Sequence, residues 1–283
     1  MQHVRCVVIP SAGLGTRFLP LTKVVPKELL PLGEWPLIHH ALLEAERAGF
    51  GEAIIVISPS KRAIRSYFEG DDDLERVLEA RGQVLALERV RAARAIGNRM
   101  RLHFVEKETH GPGEAVLLAH RLTGDEILGV LLPDDVVPGA HPWHDLENLR
   151  QATGMATLAV RTFPAREAGR YGVAACSHEG GRLRIRQLIE KPAPGTIASA
   201  YRIFGRYIVT APIMAALESG LRRVEDELQL TDAYASCLAH PQGVFATEFT
   251  GETFDCGTPA EYSRSVTRYA AWSASATAAA GVG

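Results

Sequence analysis

Cysteine is scarce in this chain of 283 residues: only Cys6, Cys176, Cys237 and Cys256 occur, with no C-x-x-C pair and no tight Cys/His cluster. That spacing argues against a disulfide scaffold, and the four thiols read as reduced, cytoplasmic and mostly buried. The ten histidines form no H-x-x-x-H pair, which argues against a structural zinc site. No apolar run approaches the length of a membrane span, and the amino terminus enters a strand without a signal-peptide pattern. An excess of either charge is missing too. The formal balance is −2, so nothing global favours nucleic acid or an anionic membrane as partner. No internal repeat and no convincing interdomain linker occurs, and no Ser/His/Asp or Cys/His nucleophile arrangement is legible.

What is present is a hydrophobic content of 46%, enough for one large α/β domain or two small ones. The most informative stretch is 8–32. Val7-Val8-Ile9 reads as a buried strand ended by Pro10. The small, flexible run Ser11-Ala12-Gly13-Leu14-Gly15-Thr16 can bring backbone N–H groups close to an anion. Arg17, Lys23 and Lys27 follow within a dozen residues, and cations beside bare backbone suit a polyphosphate. Position 18 is Phe, so the dinucleotide fingerprint G-x-G-x-x-G fails, and no G-x-x-x-x-G-K-[ST] loop occurs. The plainer alternative is a strand-to-helix turn with solvated basic residues.

Further along, helical spacing covers 36–48, 61–68 and 71–80, with strands at 53–57, 102–105 and 130–132. Asp71-Asp72-Asp73 suits a helix N-terminus better than a metal. The arginine-rich stretch 81–101 reads as a solvated helix face or a subunit contact, not a nucleic-acid patch. Gly111-Pro112-Gly113 opens a helix over 114–120. This alternation implies a mainly parallel sheet covered on both faces, with ligands at the carboxyl ends of its strands. The second half predicts strands at 157–162, 173–176, 183–189, 201–209 and 244–254, and helices at 212–218 and 231–239. Leu230-Thr231-Asp232 is the expected cap of the latter. A closing helix over 259–272 and a frayed tail over 273–283 complete a single domain, 1–272. Its first half spans about 1–135 and its second about 136–257. Tyr269 and Trp272 are available for an interface.

Several motifs occur in an order that matters. They are Gly13-Leu14-Gly15-Thr16-Arg17, Pro26-Lys27-Glu28-Leu29-Leu30-Pro31, Leu132-Pro133-Asp134-Asp135, Arg170-Tyr171-Gly172, Glu190-Lys191-Pro192, Gly205-Arg206-Tyr207, Glu227 to Ala233, and Asp255-Cys256-Gly257. The set resembles the signature of sugar-1-phosphate nucleotidylyltransferases, above all the bacterial branch acting on UTP and glucose 1-phosphate, and covers nearly the whole chain. The resemblance implies a Rossmann-like α/β fold with a mainly parallel or mixed sheet, binding nucleotide in the half over about 1–135 and sugar in the half over about 136–257. It also implies nucleotidyl transfer from a nucleoside triphosphate to a sugar 1-phosphate with release of pyrophosphate. The expected polyphosphate contacts are Arg17 and Lys27. Ala12, Gly13, Leu14, Gly15, Thr16, Glu106, Gly111 and Gly113 are expected at the nucleotide. Gly172, Glu190 and Lys191 are expected at the sugar phosphate. Asp134 and Asp255 are expected to hold Mg²⁺, with Asp135 pointing elsewhere because neighbours in an extended segment face opposite ways. Such enzymes are dimers or tetramers, and the expected location is cytoplasmic.

Two departures from the family pattern stand out. Where uridylyltransferases have a base-reading Gln, this chain has Glu106, five residues before Gly111. A carboxylate only accepts, so it suits the adjacent N1–H and 2-amino donors of guanine. Uridine remains the first expectation, with guanosine, thymidine or a modified sugar or cyclitol phosphate as alternatives. In the sugar half, Ala200-Tyr201-Arg202-Ile203 stands where the family usually has Asn-Leu-Ala-Ile. A catalytically weak, regulatory nucleotide-binding homologue is the reading from a different class.

Overall fold

The computed structural model describes residues 3–193, 196, 201–221 and 227–279; Ala200, singled out above, lies outside them. The chain runs through β1 (Cys6–Pro10), a loop of short 3-10 turns, β2 (Pro31–Leu32), β3 (Trp35–Pro36) and α1 (Leu37–Arg47). β4 (Glu52–Ile57), α2 (Ala63–Phe68), α3 (Asp72–Ala80), α4 (Val84–Arg99) and β5 (Arg101–Glu106) follow. Then come α5 (Pro112–Thr123), β6 (Leu128–Leu131), β7 (Asp135–Val136) and α6 (Trp143–Thr153). The remainder holds β8 (Thr157–Thr162), β9 (Gly172–Glu179), β10 (Arg182–Glu190), β11 (Tyr201–Val209), α7 (Ala211–Leu221) and α8 (Leu230–Ser236). β12 (Phe245–Glu248), β13 (Phe254–Asp255) and α9 (Pro259–Ala279) end it.

Nine strands form one sheet in the order β5-β4-β1-β6-β11-β8-β12-β10-β9. β5, β4, β1 and β6 are parallel neighbours, whereas β11 runs antiparallel to both β6 and β8. The sheet is therefore mixed. Successive residues of β1 alternate between its two faces. Cys6 and Val8 pack with Val116, Leu117, Ile213 and Tyr234 of α5, α7 and α8. Val7 and Ile9 pack with Ile38, Leu42, Ile64 and Leu146 of α1, α2 and α6. Both clusters draw on strands from each half of the chain, so the halves share one core. A third cluster joins Phe18, Leu32, Leu37, Val136, Phe254 and Cys256.

Several expectations change. The strand foreseen over 244–254 breaks after Glu248: Phe249 N–H still donates to Val160 O, and the chain then leaves to pair β13 with β7. α9 continues to Ala279, because the Ala-rich run foreseen as a frayed tail favours helix. Tyr269 and Trp272 pack on Phe254 inside the chain, so these rings are not a free interface. α8 has Gln229 as its N-cap, with no side-chain hydrogen bond there, and the Thr231 hydroxyl goes elsewhere. α6 was not foreseen, its inward face being only Trp143, Leu146 and Arg150. Asp71 does cap α3, accepting from Leu74 N–H at 2.9 Å. The arginines on and around α4 are paired: Arg89 with Glu34, Arg91 with Glu75, Arg94 with Asp72, Arg99 with Glu46 and Arg101 with Glu52. They form a salt-bridged face whose exposed, solvent-screened pairs add little to stability. Among the described residues no helix is long and apolar enough to cross a membrane.

Candidate active site

The loops after β1, β4, β5 and β6 emerge from one edge of the parallel strands, where ligands sit in open α/β sheets. Two cavities meet there, one of about 360 Å³ on the side of β9 to β11 and one of about 590 Å³ over the glycine-rich loop. Arg17, Lys191 and Gly257 line both. A molecule bridging the cavities therefore passes two cations at their junction.

The glycine-rich loop is held by a few specific bonds. Gly15 has φ +65°, a left-handed turn that a side chain would strain, and its carbonyl accepts from Thr22 Oγ1 at 2.8 Å. Ala12, Gly13, Leu14, Gly15 and Thr16 all line the larger cavity. Beneath them, Lys61 Nζ donates to both Glu28 carboxylate oxygens, at 2.9 and 2.8 Å, and to Ser11 O at 3.0 Å. Both partners are buried, and burial pulls the Lys61 pKa down against the attraction of Glu28. Lys27 reaches Asp134 Oδ2 at 2.9 Å. Burial opposes both charges. Yet Lys27, through its charge and hydrogen bond, holds the Asp134 pKa below its ordinary value, and Asp134 together with Glu28 raises that of Lys27. Lys23 is exposed, as a solvated neighbour would be.

Asp134 follows β6, and Asp255 lies on β13 directly across from Asp135 on β7. A Cβ added to Gly257 would sit 3.2 Å from Asp255 Oδ1 and 3.7 Å from Asp134 Oδ2. The two carboxylates thus converge beside a residue that leaves space between them. Hard oxygen donors in that arrangement fit a divalent cation that takes one or two carboxylates plus substrate oxygens. Among the described residues no group of three or more His, Cys, Asp or Glu side chains is placed to hold a metal ion. Asp255 also accepts from Tyr171 O–H at 2.7 Å and from Gly257 N–H at 2.9 Å. Burial, and then the charge of Asp135, raise its pKa. Behind this corner, buried Arg206 donates to Glu44 and, at 2.6 Å, to Asp135 O, while Trp143 Nε1 donates to Glu44 at 2.8 Å.

In the smaller cavity, Gly172, Glu190 and Lys191 come together as foreseen. Glu190 Oε2 accepts from Thr231 Oγ1 at 2.8 Å. A Cβ on Gly172 would lie 2.9 Å from that carboxylate and 3.0 Å from the hydroxyl, so a side chain there would push both aside. Lys191 has φ +44°, the one positive value of a non-glycine residue among the described ones. Such a conformation costs about 1–3 kcal/mol and clusters at functional sites. Its backbone N–H donates to Tyr171 O at 3.0 Å, and its ammonium is half exposed where the cavities meet.

Three residues expected at the nucleotide lie off the cavity walls. Glu106 accepts from Arg62 Nε at 2.7 Å and lies 3.7 Å from Arg65 Nη1, so it pairs with arginines of α2 and its flank. Gly111 and Gly113 carry the backbone of Leu228. A Cβ on Gly111 would come within 2.7 Å of Leu228 O, and Gly113 N–H donates to that oxygen at 2.9 Å. Their lack of a side chain answers a packing need between the two halves. Sequence reading missed Ser58, Glu108, Thr109, His110 and Glu227 on the larger cavity. Position after β4 and β5 was the signal that would have found the first four.

A family model for nucleotidyl transferases matches residues 6–271. The chain belongs to that family. Family members generally use a divalent metal, which agrees with the fit of the acidic corner. The chain is 38% identical over 273 residues to UTP–glucose-1-phosphate uridylyltransferase of Staphylococcus epidermidis, covering 95% of this chain and 93% of that protein. Its identity to the Bacillus subtilis enzyme of the same name is 40% over 260 residues, covering 91% and 88%. Among solved structures, a UTP-bound UGPase from Acinetobacter baumannii superposes with a TM-score of 0.82 at 30% identity, covering 94% and 93%. A UDP-glucose pyrophosphorylase complexed with UDP-glucose gives 0.79 at 31%, covering 94% and 98%.

Proposed function

We propose that the protein transfers the uridylyl group of UTP to glucose 1-phosphate, forming UDP-glucose and releasing pyrophosphate. The observation that carries this reading is the meeting of two cavities at Arg17 and Lys191, flanked by Asp134 and Asp255. An oxygen of the sugar phosphate attacks the α-phosphorus of UTP. The bond from that phosphorus to the bridging oxygen breaks, and the electron pair leaves with pyrophosphate. The attacking oxygen is already ionised, so the protein's task is placement and charge neutralisation. Arg17 and Lys27 neutralise the polyphosphate, and the backbone of Ala12, Gly13, Leu14, Gly15 and Thr16 approaches the nucleotide. Lys191 grips the sugar phosphate. Glu190, oriented by Thr231, accepts from sugar hydroxyls, and Gly172 lets the ring come close. Asp134 and Asp255 would hold Mg²⁺, which supplies positive charge at the α-phosphate. The engagement of Glu106 with Arg62 supports uridine over guanosine, since a carboxylate already in an ion pair is a poorer acceptor for two guanine donors. The intact cationic and acidic set argues against a purely regulatory homologue. Four free thiols suit a reducing cytoplasm. Exposed Leu74, Val77, Val84 and Leu85 on α3 and α4 suit a homodimer or homotetramer, which light scattering would reveal.

The test is pyrophosphate release with glucose 1-phosphate and Mg²⁺, run in parallel with UTP, dTTP, GTP, ATP and CTP. Turnover greatest with UTP is the expected result. Turnover greatest with GTP would return Glu106 to base reading, and silence with every nucleotide would overturn the reaction.

A further inference from the structure

Three carboxylates crowd the acidic corner, and the structure treats them differently. Asp135 and Asp255 are directly opposed on β7 and β13, and like charges in that relation repel. Arg202 resolves the conflict. Its Nη1 and Nη2 donate to Asp135 Oδ2 and Oδ1, both at 3.1 Å, a two-pronged pairing with both side chains nearly buried. The same guanidinium stands 4.5 Å over the ring of Tyr171, whose hydroxyl donates to Asp255 Oδ2 at 2.7 Å. That contact leaves Asp255 Oδ1 facing Gly257 and Asp134. Asp134, for its part, pairs with the partly exposed Lys27 ammonium at 2.9 Å.

We infer that Arg202 is a positioning residue that withholds Asp135 from the cation, so that Asp134 and Asp255 alone face it. This inference rests on the proposed function, in which those two carboxylates hold the metal. Arg202 locks both oxygens of Asp135, and through the Tyr171 ring it fixes which oxygen of Asp255 is turned toward Gly257 and Asp134. With two carboxylates in place of three, the protein by itself binds a cation weakly. Strong binding then waits for the oxygens of the nucleotide, because affinity for such ions rises with the number of charged ligands.

The test uses Mn²⁺ as the probe, with free ion counted by electron paramagnetic resonance, on the full chain without and with UTP. Arg202→Met keeps an unbranched side chain of similar reach and removes the fork that holds Asp135. It is expected to tighten Mn²⁺ binding without nucleotide by about tenfold, since a third carboxylate joins the site. Adding Asp135→Asn to that variant is expected to return the affinity to the wild-type value. Asp135→Asn alone is expected to leave it within about twofold, because a carboxylate held by Arg202 contributes little. Unchanged affinity in Arg202→Met would overturn the inference, as would weakened binding in Asp135→Asn alone; the latter reads out even if Arg202→Met does not fold. Asp134→Asn separates the two levels. If it leaves Mn²⁺ binding in the presence of UTP intact, the metal assignment itself fails, whatever Arg202 does.

Discussion

Replacing Lys61 with methionine would leave the Glu28 carboxylate buried with no cation beside it. Glu28 is 1% exposed and receives two hydrogen bonds from Lys61, at 2.9 and 2.8 Å. Breaking a buried pair from one side costs about 3–5 kcal/mol, because the remaining charge stays desolvated. At about 2–4 °C per kcal/mol for a domain of this size, Tm should fall by roughly 10 °C. The damage should also be selective. Lys27 feels both Asp134 and Glu28, and with Lys61 gone the unpaired Glu28 competes for it. The bond from Lys61 to Ser11 O, which ties the glycine-rich loop to the segment before α2, is lost as well. KM for the nucleotide should therefore rise severalfold while KM for the sugar phosphate changes little. Differential scanning calorimetry and two-substrate kinetics read both effects. Glu28→Gln combined with Lys61→Met removes both charges and should recover most of the lost Tm, since an uncharged pair of similar volume has no desolvated ion. A loss below about 1 kcal/mol in the single variant, or a double variant no more stable than the single, would refute the reasoning.

His39, stacked on Trp35 and almost fully buried, has its pKa pushed down to about 4, first by burial and then by His40. The unfolded chain then binds the extra proton between about pH 4 and 6.5, so stability is complete above pH 6.5 and falls on acidification by on the order of 3 kcal/mol; urea midpoints across that window should decline less steeply in His39→Gln. Thr231→Val keeps the buried volume but removes a hydroxyl donor to Glu190, a hydrogen bond worth about 1.5–3 kcal/mol to a charged group. Its KM for glucose 1-phosphate should rise about tenfold or more, with KM for UTP unchanged. Gly111→Ala would force a side chain into φ +94° and against Leu228 O, and should cost more than about 1 kcal/mol. Faster amide exchange over 227–229 would report it.

The parallel half was legible because its signal is local. Val7-Val8-Ile9 and Ile54-Ile55-Val56-Ile57 are buried on both faces, and such strands show as unbroken apolar runs. Much of the acidic corner was legible through ordered motifs, which is why Asp134 and Asp255 could be named from widely separated stretches. What escaped depends on contacts with no local trace. The β7–β13 pair is two residues long and has no periodicity to read. The tie from Arg202 to Asp135 spans 67 positions, and Arg202 read in isolation is only added bulk and charge. Gly111 and Gly113 were legible as glycines but not as packing sites, since their neighbour Leu228 arrives from the other half of the chain. Thr231 looked like a helix cap because Leu-Thr-Asp before an apolar run fits one; its hydroxyl is drawn instead to Glu190.

The distribution of private partners explains how a site this charged can stay folded and still respond to substrate. Glu28 pairs with Lys61, Asp135 with Arg202 and Glu44 with Arg206, each pair largely buried. Such pairs add little net stability, because desolvation offsets most of their attraction. They do keep surplus carboxylates from capturing the cations that the substrates need. The Lys27–Asp134 bond is of another kind, lying at the edge of both cavities with each side chain partly exposed. On the proposed reading it is the pair that substrate divides, Lys27 turning to the polyphosphate and Asp134 to the cation. Both ions then exchange one opposite charge for another without paying a second desolvation cost, so the binding energy of the triphosphate is not consumed in opening its own site.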